Sequence, residues 1–210
     1  MTDKEKNFVS AVIYVHNAEN RAGDFLKTVI RILEENFEHS EIICVNDSSD
    51  DDSLDIIKNA AVTASCVSVS VVNMSYFYGL ETAMDAGLDL SVGDFVFEFD
   101  HTVSDFEPAL IMDIYRHSLQ GYDIVSAVPK GREKITSRLF YQLFNRFADF
   151  PCQLHTESFR ILSRRVINRI HSMNKTILYR KAVYASQGLK TDTVTYQAVS
   201  NIERGGGKSG

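Results

Sequence analysis

The feature that most constrains this sequence is an alternation. Over the first two-thirds, short runs of β-branched and apolar residues take turns with longer amphipathic stretches, and Asn, Asp and Ser gather where the short runs end. Such an order predicts strands and helices in turn around a largely parallel sheet, since parallel neighbours need a crossover long enough to hold a helix. FVSAVIYV (Phe8 to Val15) predicts a first strand, followed by a helix over 23–35, and EIICV (Glu41 to Val45) predicts a second, followed by the helix LDIIKNAAV. CVSVSVV (Cys66 to Val72) predicts a third strand, YGLETAMDAGLDL a helix, and DFVFEF (Asp94 to Phe99) a fourth strand that ends at Asp100. A helix over 106–119, a fifth strand in GYDIVSAV, an amphipathic stretch over 134–150, the SFRIL segment, helices near 164–171 and 176–186, and the strand TDTVTYQAV complete the series.

The expected fold class is therefore α/β, an αβα sandwich with a mostly parallel central sheet. At 210 residues and 44% hydrophobic content the chain can bury one sizeable core, so one domain is expected over 1–199, followed by a glycine-rich basic tail over 200–210. A net charge of −6 argues against general nucleic-acid binding, which relies on Lys and Arg to neutralise phosphates. Cys44, Cys66 and Cys152 are odd in number and lack a CxxC pair, so neither a disulfide framework nor a zinc site is implied, and a reducing cytoplasm fits. MTDKEKN is no signal peptide, and no apolar run approaches the ~20 residues of a membrane span.

Ligands of open α/β sheets bind at the carboxyl ends of the strands, so the polar residues there are the first candidates. After the second strand, NDSSDDDS offers Asn46, Asp47 and Asp50 to Asp52. The last three suit a helix N-terminus, with Ser48 or Ser49 as a cap, whereas Asn46 and Asp47 sit at the strand end, where a carboxylate can accept from a base N–H. After the fourth strand, Glu98, Asp100 and Asp105 are candidates for holding Mg2+ or Mn2+, hard ions that take few carboxylates and complete their shell with phosphate oxygens and water. Asp100 is the foremost of them; Ser104 and Glu107 read as a capping box for the next helix. Lys130, Arg132, Lys134 and Arg138, then Arg160, Arg164 and Arg165, are clusters able to meet an anion or to line a solvated helix face. GxSxG, Walker, HExxH and GxGxxG motifs are all missing.

In their order these motifs resemble the family 2 glycosyltransferases of GT-A fold, in particular the dolichol-phosphate mannose synthases and bacterial polyprenyl-phosphate glycosyltransferases. YVHNAEN places Asn17 and Glu19 in register with the family's Tyr-Asn-Glu-Glu turn, and VNDSSDD matches its Val-Asp-Asp-Gly-Ser through Asp47 and, loosely, Asn46. GLETAMDAGLDLSVGD, from Gly79, resembles the Gly-Lys-Glu-Ala helix, and SFRILSRR and RGGGKSG follow in the family's order. The Asp-x-Asp metal motif matches at Asp100 only, because Thr102 holds the second place, with Glu98 or Asp105 the expected substitute. Tyr76 and Phe77 replace a usual Arg-Asn pair, Pro129 a phosphate-binding Arg, and Ser158 an Asp.

The resemblance implies an inverting transfer of sugar from a nucleotide diphosphate sugar to a polyprenyl phosphate or a cell-surface glycan. Asn17, Glu19, Asn46, Asp47 and Gly79 would bind the nucleotide, Asp100 a Mg2+ or Mn2+, and Arg132, Arg138 and Arg160 the acceptor phosphate, while Asp105 or Glu157 would serve as base toward a hydroxyl acceptor. It also implies a hydrophobic C-terminal continuation, membrane association, and a place on the cytoplasmic face. The departures support a different class of function, a catalytically weakened domain that scaffolds polysaccharide assembly. A sugar nucleotidyltransferase would need a glycine-rich basic loop after the first strand, which YVHNAENR lacks.

Overall fold

The computed structural model describes residues 3–130, 157–172, 180, 183, 184 and 188–199. The expected amphipathic stretch over 134–150, most of the helix near 176–186 and the tail over 200–210 lie outside them. Seven strands form one sheet in the order β3-β2-β1-β4-β6-β5-β7. At its centre, β1 (Val9–Val15) is buried along almost its whole length and pairs in parallel with β2 (Ser40–Asn46) and β4 (Phe95–Phe99). Near-continuous apolar runs are what strands covered on both faces require. Of the two edge strands, β3 (Ser68–Asn73) mixes Ser with Val and β7 (Thr191–Tyr196) is rich in Thr, and both are partly exposed. One strand breaks the parallel pattern: β6 (Phe159–Ser163) lies antiparallel between β4 and β5 (Ile124–Pro129). The αβα sandwich with a mostly parallel sheet holds, and the crossed order of its second half is what the chain pattern alone did not specify.

Period-two alternation in β1 sends Val9, Ala11, Ile13 and Val15 to one core and Val12 to the other. The first core is closed by α1 (Ala22–Asn36), α2 (Ser53–Ala61) and α4 (Ala109–Ser118), the second by α3 (Leu80–Leu90) and α5 (Arg164–Ser172). Two capping expectations change. Helix α4 begins after Pro108, beyond Ser104 and Glu107, and has no side-chain cap. At the start of α2 the work is shared across loops: Glu19 accepts from the Asp52 amide at 3.2 Å and Asp51 from the Ser53 amide at 3.0 Å. Those carboxylates meet the unpaired amides and positive dipole end of the helix.

Helix α3 packs on the sheet at Gly87 with no room there for a side chain. A Cβ there would stand 2.4 Å from Val12 Cγ1 and 2.8 Å from Val45 Cγ2, well inside contact distance. Gly87→Ala is therefore expected to destabilise the protein by about 1–3 kcal/mol, as overpacking does, although Ala favours helix. Chemical denaturation of the two proteins would show this, and an equal or higher midpoint for the variant would contradict it.

Candidate functional site

Because β2, β1 and β4 are adjacent and parallel, the loops that follow them leave from one edge of the sheet. Asp47, Asn17 and Asp100 therefore belong to the same rim. At the β1 and β2 ends the two loops are laced together: the Asp47 amide donates to Val15 O at 2.9 Å, the Asn17 amide to Ser49 Oγ at 3.1 Å, and the Asp50 amide to Asn17 Oδ1 at 2.9 Å. Asn17 (φ 45°) and Ser48 (φ 52°) hold left-handed backbone conformations, which L-residues adopt at a cost and which cluster at functional sites. Ser48 occupies the place of the glycine in the Val-Asp-Asp-Gly-Ser pattern, and its positive φ shows what that glycine is for.

Most of the polar side chains expected to touch a nucleotide are turned to internal work. Asp47 is buried; it accepts from the Tyr78 and Gly79 amides, each at 2.8 Å, and from Tyr14 Oη at 3.0 Å. Burial and then Asp47 push the Tyr14 hydroxyl well above its ordinary pKa, so it stays a donor. Asn46 donates to Asn73 Oδ1 at 2.7 Å and accepts from Ser49 Oγ at 2.6 Å, and Glu19 is engaged with α2 as described. In the structure the Asp47 carboxylate braces the β3–α3 loop. Gly79 (φ 84°) makes the turn into α3 and presents its amide to that brace.

Beyond β4 the rim is built on buried charge. Glu98, at 0% exposure, lies opposite Arg160 across the β4–β6 pair and receives Arg160 Nη1 at 2.6 Å and Tyr184 Oη at 2.9 Å. Arg160, 1% exposed, also donates to Asp100 Oδ2 at 2.8 Å and Glu157 Oε2 at 2.5 Å. Arg180, equally buried, approaches from the other side: Nη2 donates to Asp100 Oδ1 at 2.8 Å, and Nη1 meets the Leu80 and Glu81 carbonyls at the start of α3. Its Nε sits 3.0 Å from Glu98 Oε1, close enough for charge attraction but misdirected for a hydrogen bond. Burial opposes the Arg160 charge, and Asp100, Glu157 and Glu98 more than offset it, so its pKa is raised. Arg160, expected at an acceptor phosphate, is ion-paired with three carboxylates here. Arg180 and Tyr184 were missed, since nothing in their local sequence marks residues that fold back onto Asp100 and Glu98.

Both residues expected to substitute for the missing carboxylate have hydrogen-bond partners. Glu98 is sealed inside the network, and Asp105 accepts from Tyr196 Oη at 2.9 Å. Thr102 is buried and accepts from Arg21 Nε at 3.3 Å. Ser158 Oγ lies 2.5 Å from Tyr196 Oη; since Tyr196 gives its proton to Asp105, Ser158 is the donor in that pair. Burial lowers the His101 pKa, with Asp100 and Asp105 working the other way. Among the described residues no three or more His, Cys, Asp or Glu side chains gather into a metal cage. Arg132 and Arg138 lie outside the described residues.

Known proteins resemble this chain in sequence and in fold. A family model described as glycosyl transferase family 2 matches residues 10–184. An uncharacterized glycosyltransferase of Synechocystis sp. is 28% identical over 194 residues, covering 90% of this chain and 60% of that protein. A prophage bactoprenol glucosyl transferase homolog of Escherichia coli K12 is 30% identical over 206 residues, covering 92% and 64%. The chain thus spans about three-fifths of the length of these relatives. Among solved structures, a mannosyltransferase of Pyrobaculum calidifontis in complex with GDP-Man and Mn2+ superposes with a TM-score of 0.69 at 14% identity, over 96% of this chain and 59% of that one. Glucosyl-3-phosphoglycerate synthase of Mycobacterium tuberculosis, with Mn2+, UDP-glucose and phosphoglyceric acid, gives 0.63 at 15% identity, over 93% and 72%. These two likenesses concern the fold.

The buried network makes a direct energetic claim. Arg160→Met leaves Glu98 and Asp100 short of a partner, and breaking a buried pair from one side costs about 3–5 kcal/mol. Arg31→Met, which removes the exposed Arg31–Glu35 pair, is expected to cost under about 1 kcal/mol. Urea denaturation of the two variants would separate these values; equal losses would contradict the account.

Proposed function

The chain belongs to glycosyl transferase family 2, and from that membership we propose that it moves a hexosyl group, with inversion, from a nucleotide diphosphate sugar to a polyprenyl phosphate. The observation that carries the choice of acceptor is the state of the rim carboxylates. A hydroxyl acceptor must lose its proton to a base as it attacks, whereas a phosphate oxygen arrives already ionised. Glu157 accepts from Arg160 at Oε2, Asp105 accepts from Tyr196, and position 158 carries a hydroxyl. Each group expected to act as base is thus engaged, which suits an acceptor that needs none. The bactoprenol glucosyl transferase names of relatives from Escherichia coli and Shigella phages agree with it.

The donor would lie along the strand ends with its sugar toward Asp100. Four carboxylates, Glu81, Glu98, Asp100 and Glu157, face two guanidiniums among the described residues, an excess of negative charge that fits a divalent cation better than a bare diphosphate. Asp100 is the residue that would hold Mg2+ or Mn2+, with donor oxygens and water completing the shell. Such an ion supplies charge stabilisation to the leaving diphosphate. Arg160 and Arg180 fix the Asp100 carboxylate from both sides, so that it is positioned before the donor arrives. Arg132 and Arg138 are proposed to hold the acceptor phosphate, and the domain to extend over 1–199. Among the described residues no helix is long and apolar enough to cross a membrane; work at the cytoplasmic face of a membrane, on a lipid-borne acceptor, is part of this proposal.

A second reading, a weakened domain that binds donor and scaffolds polysaccharide assembly, is favoured by the buried, hydrogen-bonded Thr102 and by Ser158. Release of nucleotide from UDP-glucose and GDP-mannose, measured with Mn2+ and a detergent-solubilised polyprenyl phosphate, tests the choice. Release that requires the lipid phosphate and falls on the order of 100-fold in Asp100→Asn is expected, the size of losing one preorganised electrostatic group. Donor binding without release would favour the scaffold, and release to a sugar hydroxyl alone would overturn the acceptor assignment.

A further inference from the structure

We propose that the aromatic loop between β3 and α3 is a stacking face for the base of the donor nucleotide, which it holds by its flat surface and with little discrimination among bases. The inference rests on the nucleotide-sugar reading above and specifies how one end of that donor is recognised. Three consecutive aromatics, Tyr76, Phe77 and Tyr78, stand 71%, 61% and 50% exposed. Keeping so much aromatic surface in water forfeits burial that the same residues would gain inside, and a contiguous exposed patch of this kind marks a binding site.

This loop is held in place from beneath. The buried Asp47 carboxylate grips the Tyr78 and Gly79 amides, and His16 Nδ1 donates to the Asp47 carbonyl at 2.8 Å. The Phe77 ring rests on His16 with centroids 4.6 Å apart, and Tyr76 meets Tyr78 edge-on at 6.3 Å. A buried acid is thus used to present aromatic rings at the strand-end rim, beside Asn17.

Recognition through polar edges is poorly provided for in the same place. Asp47 and Asn46 are consumed by internal hydrogen bonds, and Asn17 Oδ1 already accepts from Asp50. What the loop offers instead is π surface, which every base can stack on. NMSYFYG contains no Lys or Arg, so it suits the uncharged planar end of a donor. The diphosphate end then falls toward Asp100, which Arg180 ties to the start of the helix that follows this same loop.

The test is calorimetric binding of UDP, GDP, ADP and inorganic pyrophosphate to the wild-type chain and to Phe77→Ala and Phe77→Trp. All three nucleotides are expected to bind within about tenfold of one another, and Phe77→Ala to weaken each by roughly tenfold while pyrophosphate is unaffected. Phe77→Trp should bind at least as well as wild type. Because the chain has no tryptophan of its own, that variant's emission should be quenched by each nucleotide and not by pyrophosphate. A preference of more than about a hundredfold for one base, or unchanged nucleotide affinity in Phe77→Ala, would overturn the stacking face while leaving the nucleotide-sugar reading intact. If Phe77→Ala instead releases the protein from anionic lipid vesicles with nucleotide affinity unchanged, the patch is a membrane contact and the proposal fails. Failure of the wild-type chain to bind any of the nucleotides would end both readings.

Discussion

Two guanidiniums closing on one carboxylate organise this molecule's rim. Asp100 receives Arg160 on one oxygen and Arg180 on the other, and both arginines reach back to Glu98 at the core of the sheet. A buried charge is tolerable only when paired and hydrogen-bonded, so each member of the network fixes the others. Through Arg180 the network holds the start of α3; through Arg160 it holds Glu157 at the entrance to β6. The cost of burying so many charges is hard to explain as a stability device, since apolar packing would serve as well. It is understandable if Asp100 must keep one orientation at a strand end.

A second, smaller brace serves the opposite end of the crevice. Asp47 does for the β3–α3 loop what the arginines do for Asp100, except that its partners are backbone amides. The two braces share a logic: acidic side chains that look like ligand contacts in sequence set the shape of the loops at the rim. That is why the exposed chemistry differs from the chemistry written most plainly in the sequence, with aromatic rings at one end of the rim and a clamped carboxylate at the other.

How much of this was legible beforehand follows from the range of the interactions involved. The apolar runs of β1, β2 and β4 and the amphipathic spacing of α1 and α3 are local signals, and the strands and helices they predict are present within a few residues. Parallel order also put Asp47 and Asp100 on one edge, because it depends only on crossovers. The placement of β6 between β4 and β5 was not legible, since an antiparallel insertion depends on pairing between residues about sixty positions apart, such as Glu98 with Arg160. Similar separations hid the partners of Asp100 and Glu98: Arg160 read as a phosphate ligand, and Arg180 and Tyr184 read as nothing in particular. The amide partners of Asp47 were hidden for a related reason, because a strand-end carboxylate looks the same in sequence whatever it accepts from.

The central claim is that the strand-end rim between the Asp47 brace and the Asp100 clamp receives the donor, and the most direct measurement is the map of amide resonances perturbed when UDP-glucose or GDP-mannose is added to the isotope-labelled chain. The account predicts changes concentrated at Asn17, Tyr76 to Gly79 and Asp100 to Thr102. The polar groove between α1 and α2, lined by Asn20, Lys27, Asn59 and Thr63, should stay silent. Perturbations confined to that groove, with the rim resonances unmoved, would contradict the account.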